Sequence, residues 1–212
     1  MQFLSILPAL LSLASALPTS IISRDANAAL FQSKNLHILP LGASITYGYH
    51  SSDGNGYRET LRNLLSPAAV TYVGSQCSGS MSNANNEGHP GWLVGNMQGV
   101  ATQDLPQKPN VVLIYVGTND MIFGNAAQAP SDMQKLVTYL TTNLPDSLIV
   151  VSKLFLNADP AVQARIEKFN AQLSTIQWPA NVVLADLSSA LLHSDLGPDG
   201  IHPNDSGPVN EL

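Results

Sequence analysis

From Leu36 onward, short runs of β-branched and aliphatic residues alternate with stretches whose apolar positions recur every three or four residues. The β-rich runs are Leu36 to Leu41, Val70 to Gly74, Val111 to Val116, Leu148 to Lys153 and Val182 to Asp186. Several are almost uninterrupted, as in Val111-Val112-Leu113-Ile114, a pattern that suits strands covered by helices on both faces. Strands alternating with helices predict an α/β fold, a three-layer sandwich around a mostly parallel five-stranded sheet.

The helical stretches carry their own punctuation. Asp159-Pro160 supplies a capping side chain and a first-turn proline, and Val162, Ile166, Phe169, Leu173 and Ile176 then draw one stripe down a helix. A second helix is expected from Ser131, with Met133, Leu136, Val137, Leu140 and Leu144 inward, and a third from about Tyr57, with Leu61, Leu64 and Leu65 against the sheet. Between Cys77 and Asn86 lie Ser, Gly, Asn and Met without any period, which reads as a long surface loop of the kind that lines sites. No internal repeat and no shift in composition marks a second domain.

The first sixteen residues break the pattern. Phe3 to Leu13 is apolar but too short to span a bilayer, and Ala14-Ser15-Ala16 follows it. Residues 1–16 are therefore expected to be a signal peptide cleaved after Ala16, with 17–34 an N-terminal extension and 35–212 the folded domain. Secretion to the extracellular medium follows from that reading. A buried N-terminal helix is the alternative, and Pro8 and Pro18 argue against it. No later run is apolar for long enough to enter a membrane.

Composition narrows the partners. Charged residues are 11% of the 212, with a net charge of -6 and no cluster of Lys or Arg to follow a phosphate backbone, so nucleic acid is not an expected partner. Membrane is not one either, and a monomer is expected. Cys77 is the single cysteine, so an internal disulfide is excluded. It is buried, free or joined to another chain. The five histidines, His37, His50, His89, His193 and His202, show no metal-ligand spacing, and neither a metal nor a cofactor is expected.

Four segments could carry chemistry. Gly42-Ala43-Ser44 stands where the first strand ends, facing the cleft that open α/β sheets form beyond their strands. Thr46 replaces the second glycine of a Gly-x-Ser-x-Gly elbow, and a serine in such a loop also serves as a turn or a cap. Asp199-Gly200-Ile201-His202 offers a base and a carboxylate to orient it, the two groups a serine hydroxyl needs to become a nucleophile. A solvated loop histidine is the plainer reading. Gly117-Thr118-Asn119-Asp120 follows the Val111 strand, where an amide could serve an oxyanion or simply end the strand. In Glu87-Gly88-His89-Pro90-Gly91-Trp92, Gly91 admits close backbone approach and Trp92 an apolar wall, or both serve a turn packed on the core.

In this order the four segments resemble the conserved blocks of the SGNH/GDSL hydrolases over roughly Leu36 to Asp205. Together with Gly54-x-Gly56-Tyr57-Arg58, the Glu87 to Trp92 segment is most similar to carbohydrate esterase family 3, whose members include acetylxylan esterases, and the secreted fungal ones look nearest. The resemblance implies a flavodoxin-like SGNH hydrolase fold and a serine esterase. Ser44 would be the nucleophile, His202 the base and acid, and Asp199 its orienting carboxylate. The oxyanion hole would comprise the backbone N–H groups of Ser44 and Gly91 and the side chain of Asn119. Trp92, His89 and Glu87 would bind substrate. That substrate would be an acylated polysaccharide or a small ester, with acetylated xylan in first place. A general short-chain or lipid esterase and an inactive carbohydrate-binding product are the alternatives.

Two departures from the family pattern carry expectations. Ala43 replaces the Asp of Gly-Asp-Ser, a change that leaves the reacting groups in place. Ten residues follow His202, interrupted by Gly207-Pro208, so the family's closing C-terminal helix is not expected, and it could have carried a partner for Cys77. Asn204-Asp205-Ser206 is a glycosylation sequon that is expected to stay empty, because a glycan there would crowd His202.

Overall fold

The computed structural model describes residues 34–205. The expected signal peptide, nearly all of the extension after it, and the segment in which a closing helix was not expected lie outside the described residues.

All five β-rich runs form strands: β1 (Asn35–Gly42), β2 (Ala69–Tyr72), β5 (Val111–Tyr115), β6 (Leu148–Ser152) and β7 (Val182–Ala185). Two further short strands, β3 (Gln76–Cys77) and β4 (Asn85–Gly88), bring the sheet to seven. Its order is β3-β4-β1-β5-β6-β7, with β2 also on β1, and only β3 runs antiparallel to its neighbour. β2 and β4 lie along the same edge of β1, at Asn35 to Ile38 and at Leu41 to Gly42 respectively. β4 reads Asn-Asn-Glu-Gly, so no apolar run announces it, and backbone pairing with the end of β1 holds it in place.

Among the described residues, six α-helices connect these strands: α1 (Ser44–Tyr47), α2 (Tyr57–Leu64), α3 (Met97–Asp104), α4 (Thr118–Phe123), α5 (Ala129–Asn143) and α6 (Pro160–Thr175). The Asp159 carboxylate accepts from the backbone of Ala161 and Val162, so α6 starts where its cap places it. Val162, Ile166, Phe169 and Leu173 of α6 and Met133, Leu136, Val137 and Leu140 of α5 are buried, as their spacing predicts. The third helix differs in one respect. Leu65 is buried just past its end, but Leu64 points outward and is 40% exposed.

Alternation along the strands sends side chains to two cores. Leu39, Val112, Ile149 and Val151 pack with α3, α5 and α6 on one face, while Ile38, Val111, Leu148 and Val150 pack on the other with Leu61 and Leu65, Tyr72, Met81 and Ala84. The layered architecture is thus the one the sequence predicts.

The segment from Cys77 to Asn86 is not the loose surface loop its composition suggests. Met81, Ala84 and Asn86 are buried, and Arg58, itself fully buried, donates to the carbonyls of Ala84 (2.8 Å) and Ser78 (2.8 Å) within the segment. The same guanidinium donates to the carbonyls of Tyr47 and Gly54. A buried cation whose two terminal nitrogens donate to backbone oxygens therefore stitches three separate segments together. Cys77 is exposed and unpaired among the described residues.

Candidate active site

The serine's position follows from the end of β1. Gly42 pairs with Gly88 of β4 on one side and Tyr115 of β5 on the other. A Cβ on Gly42 would lie 2.2 Å from the Tyr115 carbonyl oxygen and 2.3 Å from Thr46 Oγ1, so only glycine allows this approach. The chain turns at buried Ala43, and Ser44 opens α1.

His202 reaches Ser44 from the far end of the chain. Its Nε2 lies 2.7 Å from Ser44 Oγ, and its Nδ1 lies 2.6 Å from Asp199 Oδ2. The imidazole is 10% exposed. Asp199 Oδ1 also accepts from the backbone of Ile201 (3.0 Å) and His202 (3.1 Å), which closes the Asp-x-x-His turn on itself. Burial pushes the Asp199 carboxyl up. The bonds from the His202 ring and the two backbone N–H groups outweigh it and hold the pKa at about 2. An ionised Asp199 only accepts, so the proton sits on His202 Nδ1 and Nε2 is left to accept from the Ser44 hydroxyl.

The other two segments meet beside the serine. Asn119, in the first turn of α4, donates its side-chain amide to the Trp92 carbonyl at 2.9 Å, which leaves the second amide hydrogen for another acceptor. Ser44 and Asn119 line one small cavity of about 10 Å³, with Gly117 and Thr118 between strand and helix. Asp120 is fully buried and accepts from the backbone N–H of Val94 and from Asn125, tying the segment after Trp92 to α4. Burial pushes the Asp120 carboxyl up, and those donors work against it. Gly91 has φ +85°, and a Cβ built there would meet nothing within 4 Å, so its face is open toward solvent.

Glu87 corrects an expectation. The resemblance places it against substrate, but its side chain is 1% exposed and fully engaged inside the protein. It accepts from Ser75 N (2.6 Å), from Ser75 Oγ (2.9 Å) and from the His89 ring. Burial pushes its pKa up, yet these donors and Asp104 hold it below the ordinary value. Its contact is with His89, whose ring stacks on Trp92 at 4.1 Å.

Sequence reasoning missed three neighbours of the site. Asp104 lies behind Glu87, and Tyr49 and His50 lie against His202. No motif or period marks any of them. Among the described residues, His50, Asp199 and His202 are the group whose ligand atoms, all within 4.8 Å of one another, could hold a metal ion. A metal there would have to displace the proton shared by His202 and Asp199.

Residues 41–208 match the GDSL-like Lipase/Acylhydrolase family. The chain belongs to that family. A multidomain esterase of Ruminococcus flavefaciens is 28% identical over 211 residues, which cover 81% of this chain and 27% of that protein. The chain thus spans about a quarter of the length of that relative. Among solved structures, a family 3 carbohydrate esterase of Clostridium thermocellum matches with a TM-score of 0.70 and 24% identity, over 81% of this chain and 89% of the other. A family 3 carbohydrate esterase of Talaromyces cellulolyticus matches with a TM-score of 0.65 and 24% identity, over 81% and 90%. At these identities the two structures establish a shared fold. No helix among the described residues is long and apolar enough to cross a membrane.

Proposed function

We propose that this GDSL family member is a secreted serine esterase that removes short acyl groups, acetyl in first place, from acylated polysaccharide. The chain of contacts Ser44 Oγ to His202 Nε2 and His202 Nδ1 to Asp199 carries the reading. His202 takes the Ser44 proton as Oγ bonds to the acyl carbon, and the carbonyl oxygen becomes an oxyanion. The free amide hydrogen of Asn119 and the backbone N–H groups of Ser44 and Gly91 are the donors for it. Collapse of this intermediate breaks the bond to the alcohol, which leaves with the proton from His202. Water, deprotonated by His202, then attacks the acyl-Ser44 carbon, releasing the carboxylic acid and restoring the serine. Asp199 holds the imidazolium throughout.

The short acyl group rests on the resemblance to carbohydrate esterase family 3, whose members include acetylxylan esterases. Support for a carbohydrate alcohol comes from the likeness to family 3 carbohydrate esterases and from the His89–Trp92 stack near the serine. The test is turnover of p-nitrophenyl acetate by wild type and by Ser44→Ala, followed by rates on acetylated xylan against esters of long acyl chains. Turnover that vanishes with Ser44 and is faster on acetyl supports the proposal. Equal rates on long chains would make a general or lipid esterase the better description, and no Ser44-dependent turnover from folded protein would favour an inactive carbohydrate-binding protein.

A further inference from the structure

His50 lies outside every segment that the sequence marked for chemistry, yet its ring lies against both members of the acid–base pair. The imidazole stacks on that of His202 with centroids 5.1 Å apart and planes 23° from parallel. Its Nε2 is 3.5 Å from Asp199 Oδ2, the same oxygen that binds His202 Nδ1. Tyr49 packs edge-on against both rings, 4.5 Å from His50 and 5.2 Å from His202. The backbone of His50 stands at φ +68°, a left-handed conformation that a residue with a Cβ rarely adopts. Glycine would fit there without strain.

The loop around His50 is fastened at a second point. Ser52 N donates to the Asp205 carboxylate at 2.9 Å, three residues beyond His202. Asp199 and His202 stand on a turn outside the sheet, and the Asp199 side chain is partly exposed. Strand pairing does not hold these two side chains. The ring of His50, on the segment that leaves the nucleophile's own helix, packs against both of them.

We propose that His50 is a positioning residue that fixes the His202 ring and Asp199 Oδ2 in the orientation that Ser44 requires. This rests on the esterase reading above. His50 does not touch the reacting atoms. It acts by confining the imidazole on one face and by holding its own Nε2 3.5 Å from Asp199 Oδ2. Misplacement of a catalytic group by about 1 Å costs on the order of a hundredfold in rate, and partial loosening costs less.

The test uses His50→Gly, which removes the ring and relieves the backbone strain together. The expected result is a thermal midpoint equal to or above wild type, a kcat on p-nitrophenyl acetate lowered about tenfold, and a KM within about twofold. The downfield proton resonance of His202 Nδ1 should broaden or move in the same variant. Wild-type kcat together with an unmoved resonance would overturn the proposal. If His50→Gly does not fold, His50→Asn, which also tolerates a positive φ, gives the same readouts. If wild type itself shows no Ser44-dependent turnover, the esterase reading fails, and the proton resonance still decides the role of His50.

Discussion

Replacing Asp104 by asparagine tests whether burial beside Glu87 keeps a proton on this carboxyl. Asp104 is 1% exposed, in α3, and its Oδ1 accepts from Gln107 Nε2 at 2.8 Å. Its Oδ2 is buried with no donor to accept from and faces Glu87. Burial first, and then the neighbouring Glu87 carboxylate, push the Asp104 pKa from 3.8 up to about 8. Asp104 thus donates to Glu87, which keeps the charge that its Ser75 and His89 donors favour. Between pH 4 and 8 the folded protein holds a proton here that the unfolded chain has released. Stability must therefore fall as pH rises through that window and level off above it.

One proton gives a slope of at most about 1.4 kcal/mol per pH unit, so up to ~3 kcal/mol is lost between pH 5 and 7. For a domain of this size that is a drop of roughly 5–10 °C in the unfolding midpoint. Asparagine keeps a donor for Glu87 and an acceptor for Gln107 but has no proton to release. Urea unfolding of wild type and Asp104→Asn at pH 5, 6, 7 and 8 isolates the effect, because other titrating groups contribute alike to both. The variant should gain on wild type as pH rises. A stability difference that stays constant from pH 5 to 7 would mean that Asp104 is ionised, and the account of the pair would be wrong.

Other outcomes follow from the same contacts. Asn119→Ala should lower kcat about a hundredfold or more with little change in KM, measured on p-nitrophenyl acetate, if its amide is the oxyanion donor proposed above, since the Ser44–His202 contact does not involve it. Arg58→Met removes the guanidinium from the carbonyls of Gly54 and Ser78, while those of Tyr47 and Ala84 keep Ser78 and Asn86 as donors, and should destabilise by ~3 kcal/mol in urea, with faster proteolysis between Cys77 and Asn86. Asn204 Nδ2 donates to the carbonyls of Ser194 (2.9 Å) and Leu196 (3.2 Å), so protein made in a glycosylating host should carry no glycan there by peptide mass spectrometry.

Much of the fold was legible because burial leaves a period. Val111 to Tyr115 and Leu148 to Ser152 are covered on both faces and so are apolar throughout, and α6 carries its cap and its stripe in plain view. Where an element is held by polar contacts the signal fails. β4 has no apolar side chain and is fixed by pairing with Leu41 and Gly42, and the segment from Cys77 to Asn86 is ordered by Arg58, a residue some twenty positions earlier. Composition reports the side chains of a segment, and the partners that order these two lie elsewhere in the chain.

The candidate site divides along the same line. The sequence by itself determined which residue types stand at the ends of which strands: Ser44 after β1, Asn119 after β5, and the local Asp199-x-x-His202 turn, whose backbone bonds need only three residues. Tertiary structure alone decided that Ser44 and His202, 158 positions apart, meet at 2.7 Å. It decided too that Glu87 is inside with Asp104 rather than against substrate, and that His50 lies on His202. These are contacts between elements, set by strand order and by how closely backbones such as Gly42 and Tyr115 approach. Local propensity has no term for them, because each partner alone is an ordinary loop residue.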